Sequence, residues 1–147
     1  MAVTAYTILT ALFKTLDADA TLQGANYLGG TDRIEKGSRR RKGLTAPCIA
    51  MKIGGATMNT EGKVQDALIY INSYALDKAN GTADLTRLSA IAGQVETLLD
   101  DTNLTAASGM RFFNCYVTSP HGEAYYDPDF PDEHYVATAL RVQCQSA

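Results

Sequence analysis

Cysteine is scarce in this chain, and its distribution excludes two frameworks at once. Cys48, Cys115 and Cys144 are too few and too scattered for a disulfide scaffold, and no Cys-x-x-Cys pair marks a redox or zinc site. Each lies in an apolar run, where a thiol reads as a small buried hydrophobe, and a reducing compartment fits that use. Histidine is scarcer still, with His121 and His134 alone. No uninterrupted apolar stretch approaches the roughly 18 residues of a membrane span. The start Met1-Ala2-Val3-Thr4 lacks the basic-then-apolar pattern of a signal peptide. These absences predict a protein of the cytosol, or one assembled there, with no membrane partner.

The fingerprints of common chemistries are missing as well. Neither G-x-x-x-x-G-K-[ST] nor G-x-G-x-x-G occurs, and no G-x-S-x-G elbow surrounds the neighbouring Ser119 and His121. A metal site would have to recruit His121 and His134 with Asp127, Asp129, Asp132 and Glu133 between them. The spacing D-x-D-x-x-D-E lacks the glycine and the distant bidentate glutamate of a calcium loop, and Pro128 and Pro131 stiffen the segment, so it reads as a solvated turn. The acidic pair Asp100-Asp101 falls at a helix end, where exposure accounts for it. On these grounds no catalytic, cofactor-binding or metal residue is assigned, no cofactor is expected, and the chain is not read as an enzyme.

What is present is an ordinary globular composition. At 147 residues one domain spanning 1–147 is expected, able to bury roughly two thirds of its unfolded surface without a staple. Hydrophobic residues at 46% and charged residues at 20% set it apart from disordered chains. A net charge of −3 is too mild to draw the whole body to nucleic acid.

Periodicity divides the chain into elements. Ile8, Leu9, Leu12, Phe13 and Leu16 form one helical stripe, with Thr4 as its N-cap. The helix should stop near Leu16, because anions are unfavourable at its C-terminal end, leaving Asp17 to cap a short second turn through Thr21, Leu22 and Gln23 that Gly24 ends. Pro47 biases Ala46 to an extended conformation, and Cys48 to Ile53 reads as a buried strand, broken by Gly54-Gly55. A polar turn through Asn59, Glu61 and Gly62 leads to a second strand within Val64 to Tyr74. Its Ile69 and Ile71 share one face, and Leu68, Tyr70, Asn72 and Tyr74 the other, the mark of a strand that is central or covered on each face. After a cap at Thr82 or Asp84, Leu85, Leu88, Ile91, Val95, Leu98 and Leu99 form the second helical stripe, with Arg87, Gln94 and Glu96 largely opposite and Asn103 and Gly109 at its exit. Phe113, Cys115 and Val117 then alternate in a strand, and Val136, Thr138, Leu140, Val142 and Cys144 alternate in the last one. Reversals are expected at Pro120-His121-Gly122 and across Asp127 to Asp132.

The order α-β-β-α-β-β predicts an α+β two-layer sandwich, an antiparallel or mixed sheet with two helices packed on one face. Leu12, Leu68, Ile71, Leu88, Ile91, Val95, Leu140 and Val142 are expected in one buried cluster.

One feature carries functional colour. Gly37 and Gly43 flank the run Ser38-Arg39-Arg40-Arg41-Lys42, and four like charges between glycines predict an exposed loop over about 37–43. Arg39, Arg40, Arg41 and Lys42 have three readings: a solvated tip, a contact to an acidic neighbouring subunit, or a grip on DNA phosphates. The remainder of the chain is acidic, and no aromatic platform adjoins the arginines in sequence, which weighs against DNA.

With these pieces in place the chain resembles the tail terminator (tail-completion) proteins of long-tailed phages. The matching segments are Ala46-Pro47-Cys48-Ile49-Ala50-Met51, then Val64-Gln65-Asp66-Ala67-Leu68-Ile69-Tyr70-Ile71, the helix from Ala83 to Asp100, and the close from Tyr125-Tyr126-Asp127 to Val142. Together they span nearly the whole chain. The family shares pattern and order rather than invariant catalytic residues, so no site residue is carried over, and the basic run is not one of its hallmarks. The resemblance implies a virion protein, assembled in the host cytoplasm, that forms a hexameric ring on the finished tail tube. Such a ring ends tube polymerisation and docks the tail to the neck of the head. Its implied partners are its own copies, the tail tube protein, a neck or head-completion protein, and genomic DNA in passage. A head–tail joining stopper or adaptor ring, a small nucleic-acid-binding α+β module, and a small hydrolase are the alternatives.

Overall fold

The computed structural model describes residues 5–37, 40–58, 64–104, 110 and 112–145. Along the chain these form α1 (Ala5–Asp17), β1 (Ile34–Glu35), β2 (Cys48–Met58), β3 (Val64–Leu76), α2 (Leu85–Leu99), β4 (Thr102–Asn103), β5 (Phe112–Ser119), β6 (Tyr125–Tyr126) and β7 (Glu133–Gln145). The fold is α+β. Its sheet runs β1-β2-β3-β7-β5-β4, with β6 added to β7. Among the described residues only β1 and β2 pair in parallel, so the sheet is mixed.

Two long strands set the frame. β3 and β7 pair antiparallel from Val64↔Gln145 to Leu76↔Glu133 without a break, and both are flanked by further strands. The strict alternation of β7 follows from this position. Val136, Thr138, Leu140, Val142 and Cys144 are buried on the helix side, and Ile69 and Ile71 of β3 meet them there. The sheet curls into a half-barrel rather than lying flat under the helices. Register shifts at Ile53/Gly55 in β2 and Val117/Ser119 in β5 supply bends of the kind that add curvature to strand twist.

Both helices lie in the hollow of that curl. Ile8, Leu12 and Leu16 of α1 and Ile91, Val95 and Leu99 of α2 share a cluster with Met51, Ile69, Phe113 and Leu140 of the sheet. Asp84 caps α2, its side chain accepting from the Arg87 N–H at 3.2 Å.

Some details depart from the sequence reading. Leu68 does not join the core but is half-buried on the opposite face, because Ile69 and Ile71 occupy the helix side and a period of two sends Leu68 away. Leu88 is buried in a satellite cluster with Ala75, Ala92 and Val136 rather than in the main one. Asp19, not Asp17, caps the turn after α1: its Oδ2 accepts from the Leu22 N–H at 2.9 Å and from Gln94 Nε2 at 3.0 Å, tying that turn to α2. Asn103 belongs to β4, opposite Asn114. Thr4, the turn through Asn59, Glu61 and Gly62, and Gly109 lie outside the described residues. Among the described residues no helix is long and apolar enough to cross a membrane.

Candidate functional site: the basic loop and the aromatic sheet face

Arg40 is not at a loop tip. Its side chain is 2% exposed, with Nη1 2.7 Å from Glu133 Oε1. The same nitrogen donates to Cys48 Sγ at 2.9 Å. The guanidinium lies over two rings, 3.4 Å from the Phe130 centroid and 4.7 Å from that of Tyr74. Glu133, itself buried, accepts the Ala46 N–H on its other oxygen at 3.1 Å. Burial works against the guanidinium charge, but the hydrogen bonds it donates to Cys48 and Glu133 hold its pKa above the ordinary value. The expected exposure of the run therefore fails at Arg40. The cause is tertiary: a carboxylate far along the chain and an aromatic bed compensate a charge that no local neighbour would.

The rest of the run divides. Arg41 is exposed, with Nη1 2.8 Å from Asp32 Oδ1 and 3.3 Å from Glu35 Oε1. Lys42 is exposed with no polar partner among the described residues, and Gly43 follows with φ of 87°, a left-handed turn that returns the chain toward β2. Arg39 lies outside the described residues. Two of the four cations are thus engaged within the chain, which leaves a much weaker phosphate grip than a free run of four would give.

The Arg40 bed continues into a row of rings. Tyr74 lies 6.0 Å from Phe130 edge-on and 5.2 Å from Tyr135, and Tyr135 lies 5.7 Å from Tyr125. β3, β7 and β6 place these rings together, since Tyr74 pairs with Tyr135 and Tyr135 with Tyr125. Tyr70 of β3 and Tyr116 of β5 share the same outer face, two rungs and more along the sheet. Ala137 and Ala139 of β7 lie between these tyrosines, and the face has shallow hollows. One, of about 190 Å³, is lined by Lys52, Tyr70, Asn72, Tyr125, Tyr135 and Ala137. A larger one, about 540 Å³, lies beside Leu68 and the Asp66–Arg141 ion pair of 2.7 Å. Gly54 makes room for this face: a Cβ there would sit 2.3 Å from Tyr70 Cε2. An antiparallel sheet covered on one side ordinarily turns a polar side to water, whereas this one sets tyrosines, alanines and Leu68 among its outward Lys52, Asp66, Asn72 and Arg141.

The remaining sequence candidates are structural pins. His121 Nδ1 is 2.9 Å from Glu96 Oε2, which also accepts the His121 N–H at 2.9 Å and the Thr138 hydroxyl at 2.7 Å. His134 Nδ1 is 2.6 Å from Asp77 Oδ1. The two histidines thus serve separate carboxylates, one at each end of the segment that carries β6. Asp127 Oδ1 accepts the Asp129 N–H at 3.0 Å and shapes the turn before β7. Asp100 Oδ1 takes the Val117 N–H at 2.9 Å, covering part of the β5 edge. Among the described residues no three His, Cys, Asp or Glu side chains gather as a metal site would require.

All three cysteines are buried thiols outside any disulfide. Burial raises all three thiol pKa values, Cys115 to about 12 and Cys144 to about 11, and raises the Tyr74 phenol to about 12. A raised folded pKa favours the neutral form, so its stabilising effect is complete below the unfolded value and is lost as pH climbs through the folded one. Stability should therefore decline from about pH 9 toward pH 12, and a thiol reagent at pH 8 should label the cysteines only after unfolding. Rapid labelling of the native chain would contradict their burial.

Compared with known protein families and with curated proteins, the chain matches none of them.

Proposed function

We propose that this chain is a tail terminator of a long-tailed phage: a structural virion protein that forms a ring, hexameric in the family it resembles, on the completed tail tube. The ring ends tube polymerisation at the tail–neck junction and docks the tail to the head. Its partners are its own copies, the tail tube protein and a neck or head-completion protein, with genomic DNA passing through.

The observation that carries this proposal is the element order. The segments that resemble the family form the Pro47-led β2, its long antiparallel partner β3, the single crossing helix α2 and the closing β6–β7 pair. The tyrosine-rich sheet face adds support, because burying it would release water from apolar area, and its Asp66–Arg141 pair already compensates two of its charges. A stopper or adaptor ring of the neck draws the same support from these features. A stand-alone nucleic-acid module draws less, since Arg40 and Arg41 are spent on Glu133, Asp32 and Glu35.

Light scattering across a concentration series tests the assembly step. The expected result is a mass that rises from one copy to a closed multiple, at high protein concentration or on tail tubes. A monomer at every concentration that binds DNA tightly at moderate salt would replace the ring with the nucleic-acid module.

A further inference from the structure

The two broad faces of the fold are both sparing of outward charge: the sheet side carries Lys52 and the paired Asp66 and Arg141, and the helix side carries Lys14 of α1 and the Lys36 that lies over Tyr6. On the helix side, α2 turns its charged residues to its own chain: Arg87 donates to the carbonyls of Tyr27 and Ala25, and Glu96 holds His121 and Thr138. What α2 leaves outward is Thr86, Ser89, Gly93 and Thr97, preceded by Leu85 at 58% exposure. Tyr6 of the adjoining α1 is 65% exposed. Solvated helix faces are normally rich in Lys, Glu and Arg. On the sheet side lies the tyrosine and alanine surface already described.

We infer that these two faces meet, the outer sheet face of one copy receiving the α1–α2 layer of a second copy. The inference rests on the ring proposal and names its contact. The dimensions agree. Four strands at about 4.8 Å and eight residue steps at about 3.4 Å give a sheet face of about 19 by 27 Å. α2, with 15 residues, is about 22 Å long, and two helices side by side are about 20 Å wide. That footprint is roughly 500 Å² per partner and about 1,000 Å² in total, the lower bound for a specific interface. Shape agrees too: Tyr116 and Tyr125 are exposed on the sheet face at 37% and 49%, and at Gly93 a Cβ would meet nothing within 4 Å, leaving a gap in the α2 surface for a ring to enter.

Because the joined surfaces are different, the contact is head-to-tail. Each copy still offers its free face to the next, and the series closes into a ring when the rotation per copy divides a full turn. Sheet packed on sheet between two copies is the competing arrangement; it is self-complementary and stops at a dimer.

Disulfide trapping in the full chain separates these arrangements, since the three native cysteines are buried. Under mild oxidation a mixture of Ala137→Cys and Gly93→Cys chains should give a cross-linked heterodimer, and neither chain alone should cross-link. In parallel, Gly93→Arg, which meets no steric obstacle and suits a helix, should fold normally and raise the concentration for half-assembly by about tenfold or more. Self-linking of Ala137→Cys alone would overturn the inference in favour of sheet-on-sheet pairing. Wild-type rings with no mixed cross-link and an unaffected Gly93→Arg would overturn it while sparing the ring. A wild-type chain that stays monomeric at all concentrations and on tubes would overturn both.

Discussion

Glu133→Ala is expected to cost about 3–5 kcal/mol of unfolding free energy, the scale of an ion pair broken in a buried site. The substitution leaves the Arg40 guanidinium 2% exposed without its carboxylate and strips the Ala46 N–H of its acceptor. Arg40→Ala should cost a similar amount, since it strands Glu133 and removes a cation from the faces of Phe130 and Tyr74. The double variant Arg40→Met with Glu133→Leu should recover most of the loss, because the desolvation of both charges disappears along with their attraction. Urea denaturation of the three variants measures each loss and the recovery directly. A Glu133→Ala chain within about 1 kcal/mol of wild type would mean that loop 40–46 is not held as described.

The second large effect is expected where the helices meet the sheet. Phe113 and Ile91 are fully buried in one cluster, on β5 and α2. Phe113→Ala should cost about 3–5 kcal/mol and Ile91→Ala about 2–5 kcal/mol, from lost transfer free energy and the cavity left behind. Leu68→Ala, on the outer face and only half-buried, should cost clearly less, and its main effect should appear in assembly. Thermal unfolding ranks the three. A Leu68→Ala chain as unstable as Phe113→Ala would show that the outer face is already sealed in the single subunit.

The long elements were legible because each carries its own period. α1, α2, β3, β5 and β7 bury most of the stripe their spacing indicates, Leu85 being the exception at 58% exposure because it opens α2 beyond the edge of the packed face, and the sides of Ile69, Ile71 and Tyr70 follow from alternation alone. The two-residue strands β1, β4 and β6 were not legible, since two residues hold no period and their pairing depends on neighbours brought by the fold. Leu68 was misjudged for a related reason: hydrophobicity argued for the core while parity argued against it, and parity prevailed. Arg40 was hidden more deeply. A run of like charge between glycines says exposure by local rules, and nothing local signals that Glu133, Phe130 and Tyr74 converge on it. The tyrosine face was half visible. The shared side of Tyr70 and Tyr74 was evident, but their union with Tyr125, Tyr135 and Tyr116 required the order β3-β7-β5 and the β6 pairing.

That convergence changes how the basic run is tested. Replacing Arg39, Arg40, Arg41 and Lys42 together with serine would destabilise the fold through Arg40 and obscure any effect on assembly. Lys42→Ser and Arg41→Ser alone leave the buried pair intact and isolate the exposed charge.

The proposed place of this chain in a virion is tested most directly by electron microscopy of particles made without it. Removing its gene from the phage that carries it should leave DNA-filled heads and separate tails, the tails varying in length, with joining restored when the purified chain is added back. Normal yields of joined particles with tails of uniform length would contradict the proposal.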